Sequence, residues 1–196
     1  MKLSYKKMSE LELNTALAAA RAETTYRGQA QAMAWIARNV RSQRYVVSTA
    51  EAAAEAAHQE EDLYRSVCAV AWPIRALLER GEPKLAAKLL ADAISKSATV
   101  TPAASQSEAL FLLMQAAMFG TDRMWERPFE DLVASSFPIV NWRQGRNVRD
   151  AICMVASFDF AQAKQAAQDL PDEKLKANVL GLLSNNKKQP PRPFFW

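Results

Sequence analysis

Glycine is scarce, with five residues in 196, and this removes the tight turns that a protein of many short strands requires. Gly-rich phosphate loops are missing too, since Arg27-Gly28-Gln29 and Gln144-Gly145-Arg146 carry one glycine each. One histidine and two cysteines are too few to suggest a zinc site. Cys68 and Cys153 lie in the apolar contexts Ser-Val-Cys-Ala-Val and Ala-Ile-Cys-Met-Val, with no metal pair or redox motif, so each is expected to be a buried, inert thiol. His58 has no marked nucleophile to serve and is expected at a helix end, where an imidazolium suits the dipole. No cofactor or metal is expected. No run reaches the roughly 18 apolar residues of a membrane helix, and Met1-Lys2-Leu3-Ser4-Tyr5-Lys6-Lys7 lacks the apolar segment of a secretory signal. The expected location is the cytoplasm, with no membrane partner.

What is abundant is alanine, 36 residues, in a chain that is 49% hydrophobic and 23% charged. Alanine is the best helix former, and this balance supports one sizeable core, so the expected fold is all-α. The net charge of +4 is weakly informative. Three of the 25 basic residues, Lys187, Lys188 and Arg192, fall in the last ten positions, leaving 22 basic against 21 acidic residues in the first 186. A duplex-binding domain carries a denser basic face than that, so nucleic acid is the alternative partner rather than the favoured one.

Helical periodicity predicts helices near 9–22, 25–42, 44–58, 60–80, 83–97, 103–119, 122–135, 142–157, 159–170 and 172–184. Asn141 is a candidate N-cap, Gly81 and Gly120 stand where helices end, and Pro83 and Pro102 suit first turns. Pro73 falls inside the fourth helix and predicts a kink. Connections at Gln43, Gly81, Gly120 and Phe158 are 38, 39 and 38 residues apart. Ten residues before each stand Met33, Ala71, Leu110 and Val148; seven before, Ile36, Ile74, Leu113 and Ala151; three before, Val40, Leu78, Ala117 and Val155. All twelve are apolar and share one helical stripe, as in a repeat that buries a face against its neighbours. The second helices match in looser register, through Leu89, Leu90 and Ala93, then Phe129, Leu132 and Val133, then Ala166, Ala167 and Leu170.

The alternation of Ala-rich helix, turn, and helix carrying Ala-Leu-Leu, as in Arg65 to Leu78, Gly81-Glu82-Pro83 and Leu85-Ala86-Ala87-Lys88-Leu89-Leu90, resembles the tetratricopeptide-like, or HEAT-like, α-solenoids over residues 25–170. The resemblance is architectural. It implies a right-handed α-α superhelix of about four helical hairpins with capping helices, binding peptides, proteins or sometimes nucleic acid. The expected organisation is one domain over 1–186, with units near 25–62, 63–101, 102–140 and 141–184, followed by a tail at 187–196.

Several charged groups invite functional readings. Glu51 and Glu55, then Glu60, Glu61 and Asp62, form an acidic run that could serve acid catalysis, but Glu60, Glu61 and Asp62 lie at a helix start, which the dipole favours and which is the better reading. Arg27, Arg65 and Arg143 recur at one repeat position, and the first two follow Glu23 and Glu61 by four residues, predicting helical ion pairs. Arg143 has Ile139 at that place instead. Together with Trp142, Arg146 and Arg149 it forms a candidate site for an anionic or acidic ligand, since guanidinium stacks on Trp and grips carboxylate or phosphate. Against that stands an inter-repeat network with Asp150, Glu126, Glu130 or Asp131.

The tail Lys187-Lys188-Gln189-Pro190-Pro191-Arg192-Pro193-Phe194-Phe195-Trp196 breaks from the rest in composition. Its prolines favour extended geometry. Phe194, Phe195 and Trp196 are expected to dock, on this chain or on a second copy, which would make the protein a homo-oligomer. The whole reads as a non-catalytic scaffold for protein or peptide partners.

Overall fold

The computed structural model describes residues 10–185 and 189–192. Among these residues the chain forms ten α-helices and no strand: α1 (Glu10–Arg21), α2 (Tyr26–Asn39), α3 (Gln43–His58), α4 (Leu63–Glu79), α5 (Pro83–Ser97), α6 (Ala103–Ala117), α7 (Glu126–Ser135), α8 (Trp142–Val155), α9 (Phe160–Gln168) and α10 (Glu173–Ser184). Their ends follow from local chemistry. Side-chain oxygens of Thr25, Asp62, Asn141, Asp159 and Asp172 accept the backbone N–H of Gly28, Arg65, Arg143, Gln162 and Leu175, each removing an orphan donor. Pro83 occupies the first turn of α5. Gly81 takes φ of +80° after α4, a conformation that a side chain would strain.

Four expectations need correction. Gly120 does not take positive φ; its smallness serves a close approach, since a Cβ there would stand 2.6 Å from Met124 Sδ and 3.2 Å from Leu78 Cδ2. α7 starts at Glu126 rather than 122 because Asp122 and Arg123 adopt φ of 53° and 55°. α4 starts after Asp62, which is consumed as its cap. Pro102 precedes α6 as its N-cap instead of opening the first turn. Pro73 does lie inside α4, buried, and the helix continues past it to Glu79.

Packing is sequential and pairwise. α2 packs on α3 and α4, α4 on α5 and α6, α6 on α7 and α8, and α8 on α9 and α10, with α1 against α2. This is the pattern of a helical-repeat arrangement. All twelve residues of the apolar stripe are buried. On the second helices Leu90, Ala93, Phe129, Leu132, Ala167 and Leu170 are buried, while Leu89, Val133 and Ala166 are half-buried. Each larger side chain so buried contributes about 1.5–3 kcal/mol. Alanines 30, 34 and 37 of α2 and 50, 53 and 57 of α3 are fully buried, so small side chains fill this junction.

Polar contacts spanning about one repeat add register. Arg80 Nη1 donates to the carbonyls of Ala37, Arg38 and Val40 at 3.2, 3.1 and 2.6 Å, closing the C-terminus of α2. Gln43 Nε2 donates to Arg80 O and Glu82 Oε1. Farther along, Arg123 reaches Asp159 Oδ2 at 2.9 Å and Gln162 Oε1 at 2.5 Å.

Candidate functional site

The loop before α8 is fixed from the helix itself. Gln144, fully buried, donates from Nε2 to Ser136 O and accepts the Val140 N–H at Oε1. Asn141 caps the helix, so Trp142 emerges at its first position, 68% exposed. The sequence brings the predicted residues together here. The Arg143 guanidinium lies 5.8 Å from the Trp142 ring centre and that of Arg146 lies 5.0 Å away, both within cation–π range. Trp142, Arg146 and Arg149 line a groove of about 870 Å³ together with Ile139, Gly145 and, from α10, Lys174, Leu175 and Asn178.

Charge is balanced unequally in this cluster. Arg149 pairs with Asp150, its neighbour in sequence, at 2.7 Å. Among the described residues neither Arg143 nor Arg146 forms an ion pair, and Arg146 Nε is buried with no hydrogen-bond partner. Of the alternative network only the Asp150 pair forms among the described residues: Glu126 turns to Arg123 and Gln162, and Asp131 to Arg127.

The other arginine expectations are corrected. Glu23 and Glu61 lie outside α2 and α4, so the four-residue spacing is not helical, and neither Glu23–Arg27 nor Glu61–Arg65 is an ion pair among the described residues. Arg27 instead lies 5.5 Å from the Trp72 ring centre. Glu60 Oε1 accepts the Arg27 N–H at 2.6 Å and Asp62 caps α4, so two of the clustered acids serve helix N-termini. Glu51 and Glu55 are exposed on α3. Arg27 and Arg65 share a cavity of about 570 Å³ with Glu60, Glu61 and Asp62, which Arg143 does not line.

A second constellation lies on α4 and α6, and the sequence reading missed it. Arg75, 4% exposed, donates from Nη1 to Arg192 O at 2.7 Å. Gln115, fully buried, accepts the Arg192 N–H at Oε1, 2.9 Å. The Arg192 guanidinium lies 5.3 Å from the Phe111 ring centre. Arg75 is itself held by Glu79 at 2.9 Å, and its guanidinium sits 3.9 Å from the Phe119 ring centre. Glu79 also bonds Arg38 of α2. A signal existed: Arg75 and Gln115 are single polar residues in the apolar runs Val67–Leu78 and Ala109–Phe119, where an unsatisfied polar group is costly. Phe194, Phe195 and Trp196, named as the docking residues, lie outside the described residues.

The remaining groups are quiet. Cys153 is buried, and Cys68 is half-buried with its thiol pushed up to about 12 by burial, then by Glu108. His58 ends α3, 3.8 Å from Asp92, and burial followed by Lys96 lowers its pKa. Among the described residues no three His, Cys, Asp or Glu side chains gather to hold a metal, and no helix is long and apolar enough to cross a membrane. Compared with protein-family models, curated proteins and solved structures, the chain matches none.

Proposed function

We propose that this chain is a non-catalytic helical-repeat scaffold, tetratricopeptide-like or HEAT-like in kind, that binds a protein or peptide partner. The observation that carries the reading is Trp142, which stands out from the start of α8 at the mouth of the α8–α10 groove, with two guanidiniums over its ring that form no ion pair among the described residues. Trp and Arg are the residues most enriched among the energetic anchors of interfaces, because each offers large contact area and directional polar contacts. Leu175 and Ile139 supply apolar floor, and the cations suit a partner segment that carries carboxylate beside an apolar side chain.

The second reading, binding of nucleic acid or another polyanion, is favoured by one feature: Arg146 Nε is buried without a partner among the described residues. Salt separates the two. Titrating the full chain with an acidic synthetic peptide and with single-stranded oligonucleotide at 50 and 200 mM salt should give a shallow dependence for the peptide and a steep one for a polyanion. Trp142→Ala is expected to weaken peptide binding by about 2 kcal/mol, the loss typical of an anchor residue. Unchanged affinity in Trp142→Ala and in Arg146→Ala would remove this surface from consideration.

A further inference from the structure

Residues 190–193 read Pro-Pro-Arg-Pro. Proline has no N–H, so Arg192 carries the one backbone donor in this stretch. That donor and the carbonyl of the same residue are both engaged, the first by Gln115 Oε1 at 2.9 Å and the second by Arg75 Nη1 at 2.7 Å. The side chain is engaged as well, over Phe111. Three contacts from two adjacent helices therefore read one residue by its N–H, its C=O and its cation.

From this we infer that the α4–α6 face is a receptor for an arginine set between prolines in an extended peptide, and that the chain's own C-terminal tail occupies it in cis. Among the described residues the buried Gln115 amide makes one side-chain hydrogen bond, the one to the Arg192 N–H, and its Nε2 remains without a partner, so the amide meets the peptide by its acceptor end. Proline pre-sets the extended backbone, so little entropy is lost on docking. The short stretch from the end of α10 gives the tail a millimolar-range effective concentration over the groove, which a peptide in trans has to overcome. The site is separate from the Trp142 surface.

The probe is an acetylated octapeptide with the sequence of residues 189–196, titrated into the full-length chain and into the full-length Arg192→Pro variant. That substitution removes both the N–H and the guanidinium while keeping the tail extended. The variant should bind the octapeptide at least tenfold more tightly than the native chain does. On the variant, an octapeptide itself carrying Arg192→Pro should bind at least tenfold more weakly than the native octapeptide, a comparison that needs no change to the groove. In the native chain the Arg192 amide should exchange with solvent at least a hundredfold more slowly than in the free octapeptide. Equal affinity of the two chains, equal affinity of the two peptides, no binding to the variant, or an unprotected Arg192 amide would each overturn the proposal. So would a native dimer that Arg192→Pro converts to monomer, since the occupant is then the tail of a second copy.

Discussion

Single side chains in this protein show how burial sets chemistry. The Cys68 thiol is raised to about 12 from an ordinary value of 9.0 by burial, then by Glu108, with Tyr64 beside it. At pH 8 the thiolate fraction is then about a thousandfold lower than for a free thiol, and thiolate is the reactive form. In a Cys153→Ala background Cys68 should react with a disulfide reagent at pH 8 at least a hundredfold more slowly folded than in denaturant. Comparable rates would mean the site opens readily. His58 carries the opposite sign. Burial and Lys96 lower its pKa from 6.5 and outweigh Asp92, so the unfolded chain takes up its proton first as the solution is acidified. Its contribution to stability is complete above pH 6.5 and fades as pH falls below that value. The melting temperature of the native chain should drop more between pH 7.5 and 5.5 than that of His58→Gln; parallel curves would remove the imidazole from the account.

At the scale of helices and turns, two glycines test two different costs. Gly81 has open space around its Cβ position but φ of +80°, whereas Gly120 has ordinary φ and a neighbour 2.6 Å away. Gly81→Ala should lose about 1–2 kcal/mol to backbone strain alone. Gly120→Ala should lose about 1 kcal/mol to crowding, and less than that in a Met124→Ala background, since Met124 Sδ is the nearest obstruction. Chemical denaturation of Gly81→Ala, and of the Gly120→Ala and Met124→Ala single and double variants, checks both. Asn141→Ala should cost about 1 kcal/mol by uncapping α8.

These same ends explain what the sequence could and could not tell. Helix positions were legible because prolines, glycines and capping side chains mark them, and α5 matches its expected range at both ends. The misplaced starts of α4 and α7 fell where a cap or a left-handed pair replaces helix, which periodicity does not register. Trp142, Arg143 and Arg146 were legible as a cluster because Arg146 stands three residues after Arg143 and four after Trp142 on one helix, which fixes their proximity. Arg75 and Gln115 were not, because what joins them is a segment 77 residues beyond Gln115, and no local spacing carries that.

Across the molecule, helix packs on helix in sequence order, the tail contact at Arg192 apart, so damage should spread according to position. Ile74 is fully buried on α4, which packs against α2, α3, α5 and α6. Val179 is fully buried on α10, which meets α8 and α9. An aspartate at either place forfeits about 1.5–3 kcal/mol of burial and adds the larger cost of an unpaired buried charge. A folded domain has about 5–15 kcal/mol in total, so the local loss is similar at both sites. What differs is the escape. The Val179 variant can release α10 and leave the preceding helices packed, whereas no release at α4 spares the helices on either side of it. Hydrogen exchange read by mass spectrometry should therefore show Val179→Asp with fast exchange confined to α10 and protection retained from α2 to α8. Ile74→Asp should lose protection from α2 through α6. Equal loss along the entire chain in both variants would show a single cooperative unit, and the stacked-repeat description of this protein would have to be replaced by that of a bundle.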